Sequence, residues 1–231
     1  VLTGAGISTA SGIPDFRSPG GRWENYQPIP FQDFVASEAS REAYWRYKGE
    51  TWQVIQEAAP NPGHTALTEL AQAGHTTLLV TQNVDGLHER SGFPTDRLVC
   101  VHGTDSAVVC LECGERSPRG AAQRAWAAGE AVPRCSCGGA LKPATISFGQ
   151  SLVAEDLERA FAAAEACNWL VAVGTSLVVS PINQLVPTAA ARGARIAILT
   201  ESETPFEHVA SWRSSDPIEA VLPALARRVL T

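Results

Sequence analysis

Several things that this sequence does not contain narrow its function at once. No apolar run approaches the roughly 20 residues that cross a bilayer. The opening VLTGAGIS has neither a charged n-region nor an apolar h-region. A membrane or secreted protein is therefore not expected, and the cytoplasm is. Basic residues are in deficit, 18 Lys and Arg against 24 Asp and Glu for a net charge of -6, and no basic stripe stands ready for a phosphate backbone, which argues against direct nucleic-acid binding. There is no initial Met, and the first residues read as the second half of a strand, so the natural chain is expected to begin upstream. No internal repeat and no long disordered tract is evident.

What is present is a chain of 231 residues, 45% of them hydrophobic, enough for one full core and a smaller inserted module. Short apolar runs at 78–81, 98–101, 169–173 and 196–199 end in polar or small residues, as buried parallel strands do. Helical spacing appears between and after them, at 64–73 before Gly74, at 154–167 with Leu157, Phe161 and Ala164 inward, and from Ser180 and Pro181 to Arg192 before Gly193. A last helix over 217–230 places Ile218, Val221, Leu222, Leu225 and Val229 on one face, with Asp216 as cap and Pro217 in first position. This alternation predicts an α/β fold with a doubly wound, parallel, Rossmann-like sheet. Residues 18–63, rich in aromatics and broken by prolines, and residues 111–142, which hold three of the six cysteines, interrupt the rhythm. They are assigned to a helical and metal-binding module inserted into a main part made of 1–17, 64–110 and 143–231.

The metal signal is the more specific of the two chemical signals read from residues alone. Cys110 and Cys113 form CLEC, and after 21 residues Cys135 and Cys137 form CSC. Paired cysteines in a cytosolic chain favour metal over disulfides. Four thiolates with no His or carboxylate beside them suit a closed tetrahedral zinc, structural and not catalytic. Cys100 and Cys167 lie among apolar residues and read as core. The second signal, GAGIS at 4–8, lets backbone amides approach a pyrophosphate near a helix N-terminus. Thr9 replaces the third glycine of the usual fingerprint, and no strand with an acidic end follows, so hydride transfer on a standard Rossmann site is disfavoured.

GAGIS is followed by GIPDFR at 12–17, and together they resemble the cofactor loop of the sirtuin family, in a bacterial-type form. TQNVDGLH at 81–88, VHGT at 101–104, the cysteine pairs, ATISFGQ at 144–150 and GTSLVVSP at 174–181 follow in that family's order. The resemblance runs from Gly4 to about Pro223 and implies a single catalytic domain that consumes NAD. By it, Gly4, Ala5, Gly6, Ser8, Asp15, Phe16 and Arg17 lie along the dinucleotide and Gln82 meets a ribose hydroxyl. Asn83, Val84 and Asp85 hold the carboxamide and orient the nicotinamide ribose, Gly174, Thr175 and Ser176 contact phosphate and ribose, and Thr200 and Ile218 meet the adenosine. His102 is the general base, with Asn83 beside it as a catalytic residue, and Phe148 and Gly149 line the substrate tunnel. His64, His75 and His208 have no such company; His88, which does, is read as structural support for its loop.

The implied reaction removes an acyl group from protein lysine, giving nicotinamide and O-acyl-ADP-ribose, with acyl-lysine proteins or peptides as partners. The chain departs from the family at three places. One residue separates Cys135 from Cys137 where two are usual, Gln150 stands for Glu, and Thr200 stands for Asn. Members that prefer succinyl or malonyl groups carry Tyr and, three residues later, Arg; here Tyr44 is followed at that spacing by Tyr47, so acetyl or another neutral acyl group is expected. Zinc hydrolysis is disfavoured because four cysteines leave no open coordination position. Mono-ADP-ribosyl transfer and a non-catalytic NAD or ADP-ribose-binding module stay open as alternatives.

Overall fold

The computed structural model describes residues 1–17, 20–24 and 26–231, with the side chain of Trp23 left aside. Among these, a parallel sheet of six strands carries the molecule, in the order β3-β2-β1-β7-β8-β9. Its strands are β1 (Leu2–Thr3), β2 (Leu79–Thr81), β3 (Leu98–Cys100), β7 (Trp169–Val173), β8 (Arg195–Leu199) and β9 (Trp212–Ser214). The chain starts at the centre, winds outward through β2 and β3, returns, and winds the other way through β7 to β9. The order therefore reverses between β1 and β7, and an open α/β sheet leaves its ligand crevice at such a reversal.

Helices cover both faces. On one, Ala160 and Ala164 of α6 (Ala154–Ala166) and Leu185, Val186 and Ala189 of α7 (Leu185–Ala191) pack on Leu2, Val80, Leu170, Ile196 and Ile198. On the other, Ala66, Leu67 and Ala71 of α3 (Pro62–Gln72) and Leu222 and Ala226 of α8 (Ile218–Leu230) meet Leu79, Leu98, Val173 and Leu199. Alternate residues of each strand point to opposite faces, so runs buried on both sides are uniformly apolar. That uniformity made these strands readable.

The last helix differs from expectation at its start. Pro217 sits before the first turn with extended backbone, and Asp216 does not cap it. Instead the Asp216 carboxylate accepts from the Ser214 hydroxyl at 2.7 Å, closing a local turn at the end of β9. The inward face is narrower than the spacing implied, since Leu225 and Val229 are exposed.

The two interrupting segments share one core. Phe34 of α1 (Phe31–Ala36) and Tyr44 and Trp45 of α2 (Glu38–Glu57) pack with Ala122 of α5 (Arg119–Ala127) and with Val108 and Leu141. The last two belong to an antiparallel sheet of three strands, β5-β4-β6, made from β4 (Gly103–Cys110), β5 (Arg116–Pro118) and β6 (Leu141–Thr145). This sheet reaches back to Gly103, immediately after His102, and the inserted module is thereby joined to the edge of the large sheet.

Candidate active site

At the reversal of strand order the two backbones touch. The amide of Gly4 donates to the carbonyl of Val173 (3.0 Å) and that of Gly6 to Gly174 (2.8 Å). A Cβ on Gly6 would lie 2.8 Å from the Gly174 Cα, and one on Gly174, whose φ is +60°, would lie 2.3 Å from the Ile7 nitrogen. The glycines are thus needed for close strand approach. The amides of Gly4 and Gly6 donate to the β7 end and that of Gly174 to Leu199, so these three amides hold strands together. The helix after Gly4 is also a short 3-10 helix, Ala5–Ser11, stopped by Gly12 in left-handed conformation.

Around this junction opens a cavity of about 1080 Å³. The strand ends β1, β2, β3, β7 and β8 deliver to it Gly4 to Gly6 with Ser8, Gln82 to Asp85, His102, Gly174 to Ser176, and Thr200. Asp15, Phe16 and Arg17 form one rim, Ile218 another, and Phe148 and Gly149 a third. All the residues that the sequence nominates for cofactor or substrate therefore line one space. Tyr44 and Tyr47, the pair weighed for acyl preference, line it from the inserted module with Tyr26 and Lys48, and Glu201, Asp216 and Glu219 line it from the far side; apart from the two tyrosines these were not foreseen as cavity residues.

Hydrogen bonds fix the polar members in place. Asn83 donates from its side-chain amide to the Gly4 carbonyl (3.0 Å) and the Ser8 hydroxyl (3.2 Å), and Ser8 donates to the Asp85 carboxylate (2.8 Å). The other Asp85 oxygen accepts from the amide of Leu87 at 2.9 Å, at the start of α4 (Leu87–Arg90). Gln82 donates to the Thr175 hydroxyl at 3.0 Å across the strand reversal. Arg17 reaches Ser176 at 3.5 Å. The carbonyls of Phe148 and Gly149 are held by the Phe31 amide and by Gln32, each at 2.9 Å, which fastens that segment to α1.

His102 has its Nδ1 2.9 Å from the carbonyl oxygen of Gln82. A carbonyl only accepts, so Nδ1 carries the proton and Nε2 the lone pair. Burial holds the imidazole below its ordinary value of 6.5, against the opposing pull of that hydrogen bond. It is therefore a neutral base at neutral pH. His88 bonds Thr3 of β1 at 3.0 Å and is buried, a support as expected. His64 accepts from the amide of Asn61 at 3.4 Å, within the cap of α3.

The sulfurs of Cys110, Cys113, Cys135 and Cys137 all lie within 4.8 Å of one another. Zinc bonded at about 2.3 Å to four thiolates sets them roughly 3.8 Å apart. Cys110 to Cys137 is 3.5 Å and Cys113 to Cys135 is 3.8 Å, so the shortened second pair reaches the same centre. The amides of Cys113 and Gly139 point at the sulfurs of Cys110 and Cys137, which suits thiolate charge. The four are positioned to bind one structural zinc, and none lines the cavity.

The family model described as the Sir2 family matches residues 4–181. The chain belongs to the Sir2 family. Within it, the chain is 40% identical to NAD-dependent protein deacetylase 1 of Bradyrhizobium diazoefficiens over 210 residues, 90% of this chain and 82% of that protein. It is 38% identical to NAD-dependent protein deacetylase 2 of Streptomyces coelicolor, covering 98% and 95% of the two chains. Among solved Sir2 structures, one described as Sir2 with p53 peptide and NAD+ superposes with a TM-score of 0.87 at 30% identity, covering 99% of this chain and 90% of that one. The Sir2 assignment agrees with the parallel sheet, the four-cysteine cluster and the cavity at the strand reversal.

Proposed function

We propose that this protein is an NAD-dependent protein-lysine deacetylase, producing nicotinamide, free lysine and O-acetyl-ADP-ribose in the cytoplasm. The observation that carries the reading is His102, a neutral base with its lone pair on Nε2, set beside Gln82 and Asn83 in a cavity large enough for a dinucleotide and a side chain. The cavity offers a base and polar anchors, and the electrophile comes from the co-substrate. NAD supplies a ribose carbon that accepts the acyl oxygen as nicotinamide leaves.

The chain's own residues do the rest. Asn83, its amide hydrogens engaged by Gly4 and Ser8, presents its carbonyl oxygen to the nicotinamide ribose, while Val84 and Asp85 hold the carboxamide. Gln82 and Thr175, bonded to each other, meet ribose hydroxyls. His102 takes a proton at Nε2 from a ribose hydroxyl, which makes that oxygen the nucleophile toward the acyl carbon. Gly4, Ala5, Gly6, Ser8, Asp15, Phe16, Arg17, Gly174 and Ser176 enclose the phosphates, Thr200 and Ile218 the adenosine. Phe148 and Gly149 flank an acyl-lysine peptide. Tyr44 and Tyr47 line the cavity, and Tyr47 stands where members that take succinyl or malonyl groups carry Arg, which favours a neutral acyl group.

The test is mass spectrometry of acetyl-lysine and succinyl-lysine peptides with and without NAD, beside a His102→Ala variant. NAD-dependent loss of acetyl faster than succinyl, with O-acetyl-ADP-ribose formed and His102→Ala slower by on the order of a thousandfold, is the expected result. ADP-ribose attached to protein with acetyl retained would make the enzyme a transferase. Binding of NAD with neither change would make it a binding module.

A further inference from the structure

The chain uses Lys and Arg at 18 positions, but only Lys48 and Lys142 are lysines, and both are buried beside Tyr44. Lys48 extends from α2 with a side chain 10% exposed, and its ammonium lies 3.1 Å from one oxygen of Asp105, which is fully buried. The other oxygen of Asp105 is 2.6 Å from the guanidinium of Arg119, the first residue of α5, also fully buried. Arg119 donates in addition to the backbone carbonyl of Lys48 and stacks over Trp52 at 4.6 Å. One carboxylate thus gathers α2 and α5 at a single point.

That point is joined to the active site through the backbone. Asp105 lies three residues after His102, in a stretch where β4 leaves register with β6, between the pairs Gly103 with Thr145 and Val108 with Pro143. Its amide donates instead to the carbonyl of Val84 at 2.9 Å. The position of residues 82–85 is therefore set on one side by Gly4 and Ser8 and on the other by Asp105. Buried ion groups contribute little net stability over well-packed apolar residues, since desolvation offsets attraction. A stability role alone does not account for three buried charges at this joint. A compact ammonium, unlike a guanidinium fork, engages one carboxylate oxygen and leaves the second for Arg119.

We propose that Lys48, Asp105 and Arg119 form a positioning triad that sets the loop of Val84 and Asp85 against the inserted module, with Lys48 as its member on the cavity wall. The triad acts on nicotinamide capture and departure and leaves the phosphate and adenosine contacts untouched. It rests on the deacetylase reading above, since that reading places nicotinamide at Val84 and Asp85.

The test compares the whole protein with its Lys48→Met variant, which keeps the Asp105 and Arg119 pair balanced. Asp105→Asn leaves two buried cations unmatched and is expected to lose stability, so it serves only as a second variant. Four quantities are measured: kcat on an acetyl-lysine peptide, the inhibition constant of nicotinamide, the Kd of ADP-ribose, and Tm. Positioning predicts that Lys48→Met lowers kcat and weakens nicotinamide inhibition, each roughly tenfold, as small misplacements of bound groups do. ADP-ribose affinity should stay within about twofold and Tm nearly unchanged. Equal losses in nicotinamide and ADP-ribose binding, or no change in either, would overturn the triad while leaving the deacetylase reading intact. A wild-type protein that releases no nicotinamide from NAD would overturn the reading and the triad with it.

Discussion

His102 is a base because of where its other nitrogen is anchored. The Gln82 carbonyl fixes the proton on Nδ1, and burial resists a second one. The sign of the pH response follows. The reactive form is the neutral imidazole, and a value held below 6.5 means that this form is already dominant at pH 7. The rate of acyl transfer at saturating substrates is expected to be level from pH 7 upward and to fall on the acid side, with its limb below 6.5. A kcat profile between pH 5 and 9 checks this, and an acid limb centred above 7 would assign the limiting base to another group. Ser8 is a different kind of residue. It accepts from Asn83 and donates to Asp85, so one hydroxyl aligns both side chains, and its value comes from contacts 75 and 77 residues away.

At the scale of elements, the zinc module is the part whose folding depends on something other than its own apolar area. Its core unites α1, α2, α5 and the small sheet, but two of its four sulfurs are exposed and the hairpin holding Cys135 and Cys137 is short. Thiolates held this close repel one another without a cation, so a chelator or Cys137→Ser should lower Tm and cut deacetylation together. Metal analysis is expected to give about one zinc per chain; full activity after complete zinc removal would contradict a structural role. Strands β2, β3, β7 and β8 were legible because they are largely buried, and α3 and α7 because they give way to Gly74 and Gly193, whose positive φ stops them; the exposed β9 showed no such run. The small sheet was not legible either. β4 leaves register between Gly103 and Val108, which erases the alternation by which a half-buried strand is read. Asp105 and Lys48 were not singled out in the sequence, because the ion pair that joins them spans 57 residues. The cavity residues were readable as motifs, but the use of the Gly4 and Gly6 amides was not, because it depends on which strand lies next to β1.

Over the whole molecule, two buried histidines tie the acid response of the fold to the active-site crevice. His64 and His88 lie with ring centroids 4.9 Å apart, one in the cap of α3 and the other bonded to Thr3 of β1. Burial is the main cause that lowers His64 to about 4 and His88 to about 3 from an ordinary 6.5; Asp85 opposes the shift at His64, and His64 adds to it at His88. Folded values below unfolded ones mean that stability is complete above pH 6.5. As pH falls, the unfolded chain takes up protons that the folded chain refuses. Stability then declines by up to roughly 1.4 kcal/mol per pH unit for each group, until the folded values near 4 and 3 are reached. Against a total of about 5–15 kcal/mol for an ordinary domain, two such groups remove a large share of the stability as the medium turns acid. Urea unfolding followed by circular dichroism from pH 7.5 to 4.5 is expected to show this decline below 6.5 and none above it. A His64→Gln, His88→Gln variant, which cannot take up those protons, should start less stable at pH 7.5 and lose stability with a shallower slope. Parallel slopes would mean that carboxylates elsewhere, and not this pair, govern the acid response. Because the pair joins β1 and α3 near the Gly4 loop, NAD binding should be lost over the same interval in the wild type.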